Sequence, residues 1–128
     1  MARTPPSELR DFTSEELKPF TGAGGRAIYV AADGIVFNMS SHEGGPGFYG
    51  PGGGYSGFAG RDATIGLATM ETDPAKWLKA TVAELSYAER DTLTDWVQRF
   101  SVKYDVVGYL NDGARPRTVA GERAAKQQ

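Results

Sequence analysis

Nine of the chain's 17 glycines fall between residues 44 and 60, a density that regular helices and strands do not sustain. Without a Cβ, glycine loses more conformational freedom on folding than other residues, and it lets backbone and ligand approach closely. The segment Ser40 to Gly54 therefore reads as a loop, and a loop of that length in a small domain points to function or mobility. Strand patterns precede it and mainly helical ones follow, which predicts an α+β domain.

The remaining composition narrows the chemistry. At 128 residues the chain suits one domain with a single core. A net charge of −2 offers nucleic acid no long-range attraction, so nucleic acid is set aside as a partner. The absence of cysteine excludes disulfides, thiolate zinc, iron–sulfur clusters and cysteine nucleophiles. His42 is the single histidine, which removes a bis-histidine haem and any multi-histidine zinc centre. A bound metal would need mainly oxygen ligands. No run approaches the roughly 20 apolar residues of a membrane span, and Met1 to Pro6 lacks the apolar core of a secretory signal. The expected form is a soluble, cytoplasmic chain without a membrane anchor.

Local signals place the elements. Thr13 and Glu16 form a capping box for a short helix ending near Lys18, before Pro19. The runs 27–31 and 35–39, joined by Asp33-Gly34, predict an antiparallel hairpin. Phe58, Ile65, Leu67 and Met70 suggest short helical pieces broken around Gly60 and Gly66. Asp73-Pro74 offers an N-cap followed by proline. Ser86 and Glu89 make a second capping box, and Leu93, Trp96, Val97, Phe100 and Tyr104 then recur on one helical face. Residues 106–110 read as a closing strand. Residues 1–10 and 111–128 read as disordered polar ends around a domain spanning 11–110.

Candidate chemistry centres on Tyr49 and Tyr55. Phenols can donate, accept or, once ionised, bind a metal, and a flat partner with a metal at its centre is haem. Both tyrosines also suit buried aromatic packing, while Lys103 and Tyr104 suit a helix C-terminus and the end of an apolar stripe. Gly52 to Gly57 fits G-x-G-x-x-G, but the strand and parallel βαβ unit that fingerprint requires are missing. Gly54-Tyr55-Ser56-Gly57 puts the second glycine one position early for a nucleophile elbow. His42 reads as a solvated loop residue or a metal ligand. Glu89, Arg90, Asp91, Asp95 and Arg99 read as a solvated face.

Several ordered motifs together resemble the membrane-associated progesterone receptor family. They are Asp11-Phe12-Thr13 to Leu17, Ala31 to Asn38, Phe48-Tyr49-Gly50-Pro51, Tyr55 to Ala63, Leu67-Ala68, Asp95-Trp96, and Lys103-Tyr104 with Val107-Gly108. The resemblance spans roughly Asp11 to Leu110. It implies a cytochrome b5-like fold, a small mixed sheet with short helices flanking a ligand groove. It further implies ferric haem b bound through Tyr55 as axial ligand, with Tyr49, Lys103 and Tyr104 in support.

By the same likeness, a haem-dependent homodimer, a steroid or sterol ligand, and haem-thiolate monooxygenase partners enter as expectations. So does a binding or regulatory role rather than an enzymatic one. A haem-independent adaptor or small-lipid binder is the competing class. Two departures stand out: Gly54 replaces a frequent proline, and the Ser40 to Gly47 stretch is longer than usual, bringing in His42 as an alternative or sixth ligand.

Overall fold

The computed structural model describes residues 8–126. Five strands, β1 (Arg10–Phe12), β2 (Tyr29–Ala32), β3 (Ile35–Asn38), β4 (Arg61–Asp62) and β5 (Asp105–Leu110), form one mixed sheet in the order β1-β5-β3-β2-β4. β2 and β3 pair antiparallel as the hairpin predicts, and Asp33 and Gly34 both take positive φ, 54° and 79°. That is the backbone of a tight I′ turn, whose twist matches the flanking strands. β5 runs antiparallel to β3, while β1 on β5 and β4 on β2 are parallel.

Both faces of the sheet are covered, so its central strands are apolar nearly throughout. Val30, Ala32 and Phe37 enter the larger core with Met39, Phe58, Leu67, Leu93 and Phe100. Their neighbours Ala31 and Val36 point the other way, to Phe12, Leu17 and Leu110, as the two-residue period of a strand requires. The approach of β1 depends on Gly108, where a Cβ would lie 1.8 Å from the Arg10 carbonyl oxygen.

The helices are α1 (Ser14–Leu17), α2 (Gly45–Tyr49), α3 (Thr64–Thr69), α4 (Tyr87–Lys103) and α5 (Val119–Lys126). Both capping boxes form: Thr13 with Glu16 before α1, and Ser86 with Glu89 before α4. In the second, the Glu89 carboxylate also accepts from the Lys79 ammonium at 2.6 Å, and with the Ser86 backbone N–H this holds its pKa below the ordinary value. No helix among the described residues is long and apolar enough to cross a membrane.

Four expectations differ from the structure. The Ser40 to Gly54 loop contains a 3-10 turn ending at Ser41 and the whole of α2. Gly66 does not break a helix but lies inside α3, because the Trp77 ring occupies the space of its missing side chain, 2.3 Å from where a Cβ would stand. At the N-terminal end, Arg10 already belongs to β1.

The polar segment from 111 is not a loose tail through residue 126. It straps the β2–β3 turn and ends in α5: the Arg117 Nε donates to the Asp33 carbonyl at 2.6 Å, and the Val119 N–H to the Asp11 carboxylate at 2.7 Å. Charged hydrogen bonds to distant residues help to order this stretch, and Ala114 within it is buried against the larger core. The rest of the two expected disordered ends, residues 1–7 and 127–128, lies outside the described residues.

Candidate functional site

The glycine-rich loop closes on itself so as to present its second tyrosine. α2 carries Phe48 and Tyr49 and stops where the Gly50 N–H donates to the Pro46 carbonyl at 2.9 Å. The chain turns through Gly53, whose N–H reaches Gly50 O at 3.0 Å, and the Tyr55 N–H returns to Phe48 O at 2.8 Å. Only glycine fits at position 53, since a Cβ there would stand 2.3 Å from that same Phe48 oxygen.

Opposite the loop lies the C-terminal half of α4. Between them runs a groove of about 230 Å³ lined by Phe48, Tyr49, Tyr55 and, from α4 and its C-cap, Trp96, Arg99, Phe100, Lys103 and Tyr104. This is smaller than the roughly 300–1,000 Å³ of pockets that enclose a ligand. It suits a flat molecule seated on one wall with its opposite face open. A larger cleft of about 390 Å³ opens beside Ser14, Lys18, Thr21 and Arg61, but no aromatic ring or phenol lines it.

Ring contacts fix Tyr55 from several sides. Phe58 stacks on it with centres 5.8 Å apart, and Trp77 stacks in turn on Phe58 at 6.0 Å. Trp96 meets Tyr55 edge to face at 6.0 Å. Tyr49 lies 5.6 Å from Tyr55 and packs edge to face on Phe100 and Tyr104. Aromatic pairs at these separations add to what area burial alone contributes. Tyr55 is therefore half-buried in a mostly rigid frame, with the flexible glycines confined to one side.

The three phenols differ in setting. Tyr49 is only 3% exposed, and burial, reinforced by Tyr104 and Tyr55 beside it, pushes its pKa well above the ordinary value. Burial also raises the pKa of Tyr104. Both remain neutral hydrogen-bonding groups at physiological pH. The charged groups of the groove, Arg99 and Lys103, are both cationic.

All four residues expected at the site, Tyr49, Tyr55, Lys103 and Tyr104, line this one groove. His42 does not line it: its Nδ1 accepts from the Gly44 N–H at 3.3 Å, and its ring meets Tyr104 edge to face at 5.9 Å. Arg99 is exposed, as the solvated-face reading expects, and it also lines the groove. Its spacing from Trp96 and Lys103 is the signal that places it there. No group of three or more His, Cys, Asp or Glu suited to a bare metal ion occurs among the described residues. The groove does fit a metal carried by a planar ring system: it offers aromatic walls, three tyrosines of which Tyr55 is the half-buried one, and a cationic rim.

No family model matches the chain. The rat (Rattus norvegicus) protein named membrane-associated progesterone receptor component 2 is 35% identical over 128 residues, 98% of this chain and 58% of the relative. The chain thus spans little more than half of that relative's length. A Schizosaccharomyces pombe protein named cytochrome P450 regulator dap1 is 38% identical over 88% of this chain and 70% of its own length. "Probable steroid-binding protein 3" of Arabidopsis thaliana is 39% identical over 77% of this chain and 95% of its own length. Among solved structures, an Arabidopsis thaliana protein described as having a cytochrome b5 like fold superposes with a TM-score of 0.70 at 37% identity, covering 86% of this chain and 98% of that one. The fold is therefore cytochrome b5-like.

Proposed function

Since this chain belongs to the membrane-associated progesterone receptor family, we propose that it holds ferric haem b in the groove between the glycine-rich loop and α4. Tyr55 is the axial ligand, and the role is haem sensing, carriage or regulation of partner proteins rather than catalysis. The observation that carries this reading is the pairing of a half-buried Tyr55 phenol with a groove that neither histidine nor cysteine lines.

Each groove residue has a part. Tyr55 supplies the oxygen, held in place by Phe58, Trp96 and Tyr49. A free phenol ionises near pH 10, so binding as phenolate draws on the charge of the ferric ion, and Lys103 lines the same groove. Tyr49, with its raised pKa, keeps its proton and acts as a donor instead of a competing ligand. Tyr104 does the same from the end of α4. Bound haem would supply a ferric Lewis acid, which an anionic oxygen ligand favours over the ferrous state, giving a low potential. That property suits storage and signalling better than rapid electron shuttling.

Partner proposals follow from the relatives' names. The relative named as a cytochrome P450 regulator supports haem-thiolate monooxygenases as regulated partners. The open outer face of the groove, with Phe48 exposed at its edge, is where a second haem-bearing copy would stack to form a haem-dependent homodimer. A second reading, a haem-independent steroid or sterol module, draws on the same aromatic walls and on the relative named as steroid-binding.

Titration of purified protein with ferric haem separates the readings. Ligand-supporting contacts alone are worth roughly 10–100-fold in metal-site affinity, so Tyr55→Phe should weaken haem binding by at least that much. Equal affinity in the variant would overturn the ligand assignment. Absence of haem binding in the wild type, together with steroid binding, would favour the second reading.

A further inference from the structure

Arg99 and Lys103 sit four residues apart on α4, and both line the groove. Like charges at that spacing repel, and among the described residues neither takes part in an ion pair, although Asp95 stands one turn before Arg99. No carboxylate lines the groove, in a chain whose net charge is −2. The rim is thus locally positive against the overall balance.

Arg99 is exposed but rests against the groove wall. Its guanidinium carbon lies 5.6 Å from the centre of the Trp96 ring, a cation–π distance. Trp96 in turn meets Tyr55 edge to face at 6.0 Å and packs on Phe100 at 5.7 Å. One indole therefore neighbours both the ring of the proposed ligand and the guanidinium. A planar guanidinium with its fork of donors matches a carboxylate in a way an ammonium does not.

We infer that Arg99, resting against Trp96 and acting with Lys103, makes this groove selective for flat apolar ligands that carry acidic groups over neutral ligands of the same shape. Arg99 is the specificity-determining member. The inference rests on the haem reading to the extent that a porphyrin with two carboxylate side chains on one edge is the ligand it describes. It demotes neutral sterols, which leave both cations without counter-charges.

Metal-free protoporphyrin IX and its dimethyl ester share one ring shape and differ in the acidic groups, so their dissociation constants, read by porphyrin and tryptophan fluorescence, isolate this effect from iron ligation. The wild type should bind the diacid more tightly than the diester, with a preference that shrinks as salt is raised. Arg99→Gln should weaken diacid binding about threefold to fivefold, the scale of one partly exposed ion pair, and leave diester binding unchanged. Arg99→Lys should recover part of the loss.

Equal binding of diacid and diester by the wild type, no diacid binding at all, or an equal loss toward both ligands in Arg99→Gln would overturn the inference. Tyr55→Phe keeps the diacid preference, because no iron is present. Failure of the wild type to take up ferric haem while that preference persists would therefore count against the haem reading alone. Normal haem uptake without the preference would count against Arg99 alone.

Discussion

Tyr49 and Tyr55 lie with ring centres 5.6 Å apart and both line the groove, yet one is buried at 3% exposure and the other is half-buried. This contrast divides the labour between two identical side chains. The buried phenol resists ionisation and stays a donor. In the proposed haem complex the neighbour is the ligand, since the groove lies on its open side.

The raised pKa of Tyr49 makes stability depend on alkaline pH. The unfolded chain releases this proton near pH 10, whereas the fold retains it to higher pH. The contribution is fully present below the unfolded value and is lost as pH rises above it, by at most about 1.4 kcal/mol per pH unit for one group. Tyr104 adds a loss of the same sign. Urea unfolding of ligand-free protein between about pH 9 and 11 should show a steeper decline for the wild type than for Tyr49→Phe. Parallel declines would contradict the assignment.

The strap beyond β5 should carry measurable stability. Arg117 donates to the Asp33 carboxylate at 3.0 Å and to Glu122 at 2.5 Å, and the Arg117 and Asp33 side chains are each only 17% exposed. Hydrogen bonds to charged groups contribute about 1.5–3 kcal/mol, so Arg117→Ala should lower unfolding free energy by about that amount. An unchanged urea midpoint would mean that the strap is loosely held.

How much could be read without the structure tracks how local each determinant is. The Asp33-Gly34 turn, both capping boxes and the apolar stripe of α4 depend on residues a few positions apart, and all are legible. β1 and β4 are three and two residues long and form only by parallel pairing with distant strands, so no periodicity announces them. Gly66 looks like a helix breaker until Trp77, arriving from outside the helix, covers it. The strap is invisible for the same reason, since Asp33 and Arg117 stand 84 positions apart. At the groove, the tyrosines and Lys103 are legible through the family motifs, whereas Arg99 resembles any other charged residue on a solvated face.

The loop before Tyr55 leaves room for improvement. Gly54 has no atom within 4 Å of where a Cβ would stand, is absent from the positive-φ positions, and its N–H donates to no described residue. A compatible proline removes unfolded-state entropy worth about 0.4–1 kcal/mol. Where that entropy is lost on ligand binding instead, the same substitution preorganises the site. Gly54→Pro should therefore tighten ferric haem binding by about twofold to fivefold, the equivalent of that free energy, as measured by equilibrium titration. Weaker binding would show that the loop must move to admit the ligand.

The absorption spectrum of the ferric haem complex tests the central claim most directly, because a phenolate bound to ferric iron gives a charge-transfer band that imidazole does not. The band should be present in the wild type, retained in His42→Ala and lost in Tyr55→Phe. An unaltered band in Tyr55→Phe, or its disappearance in His42→Ala, would contradict the account.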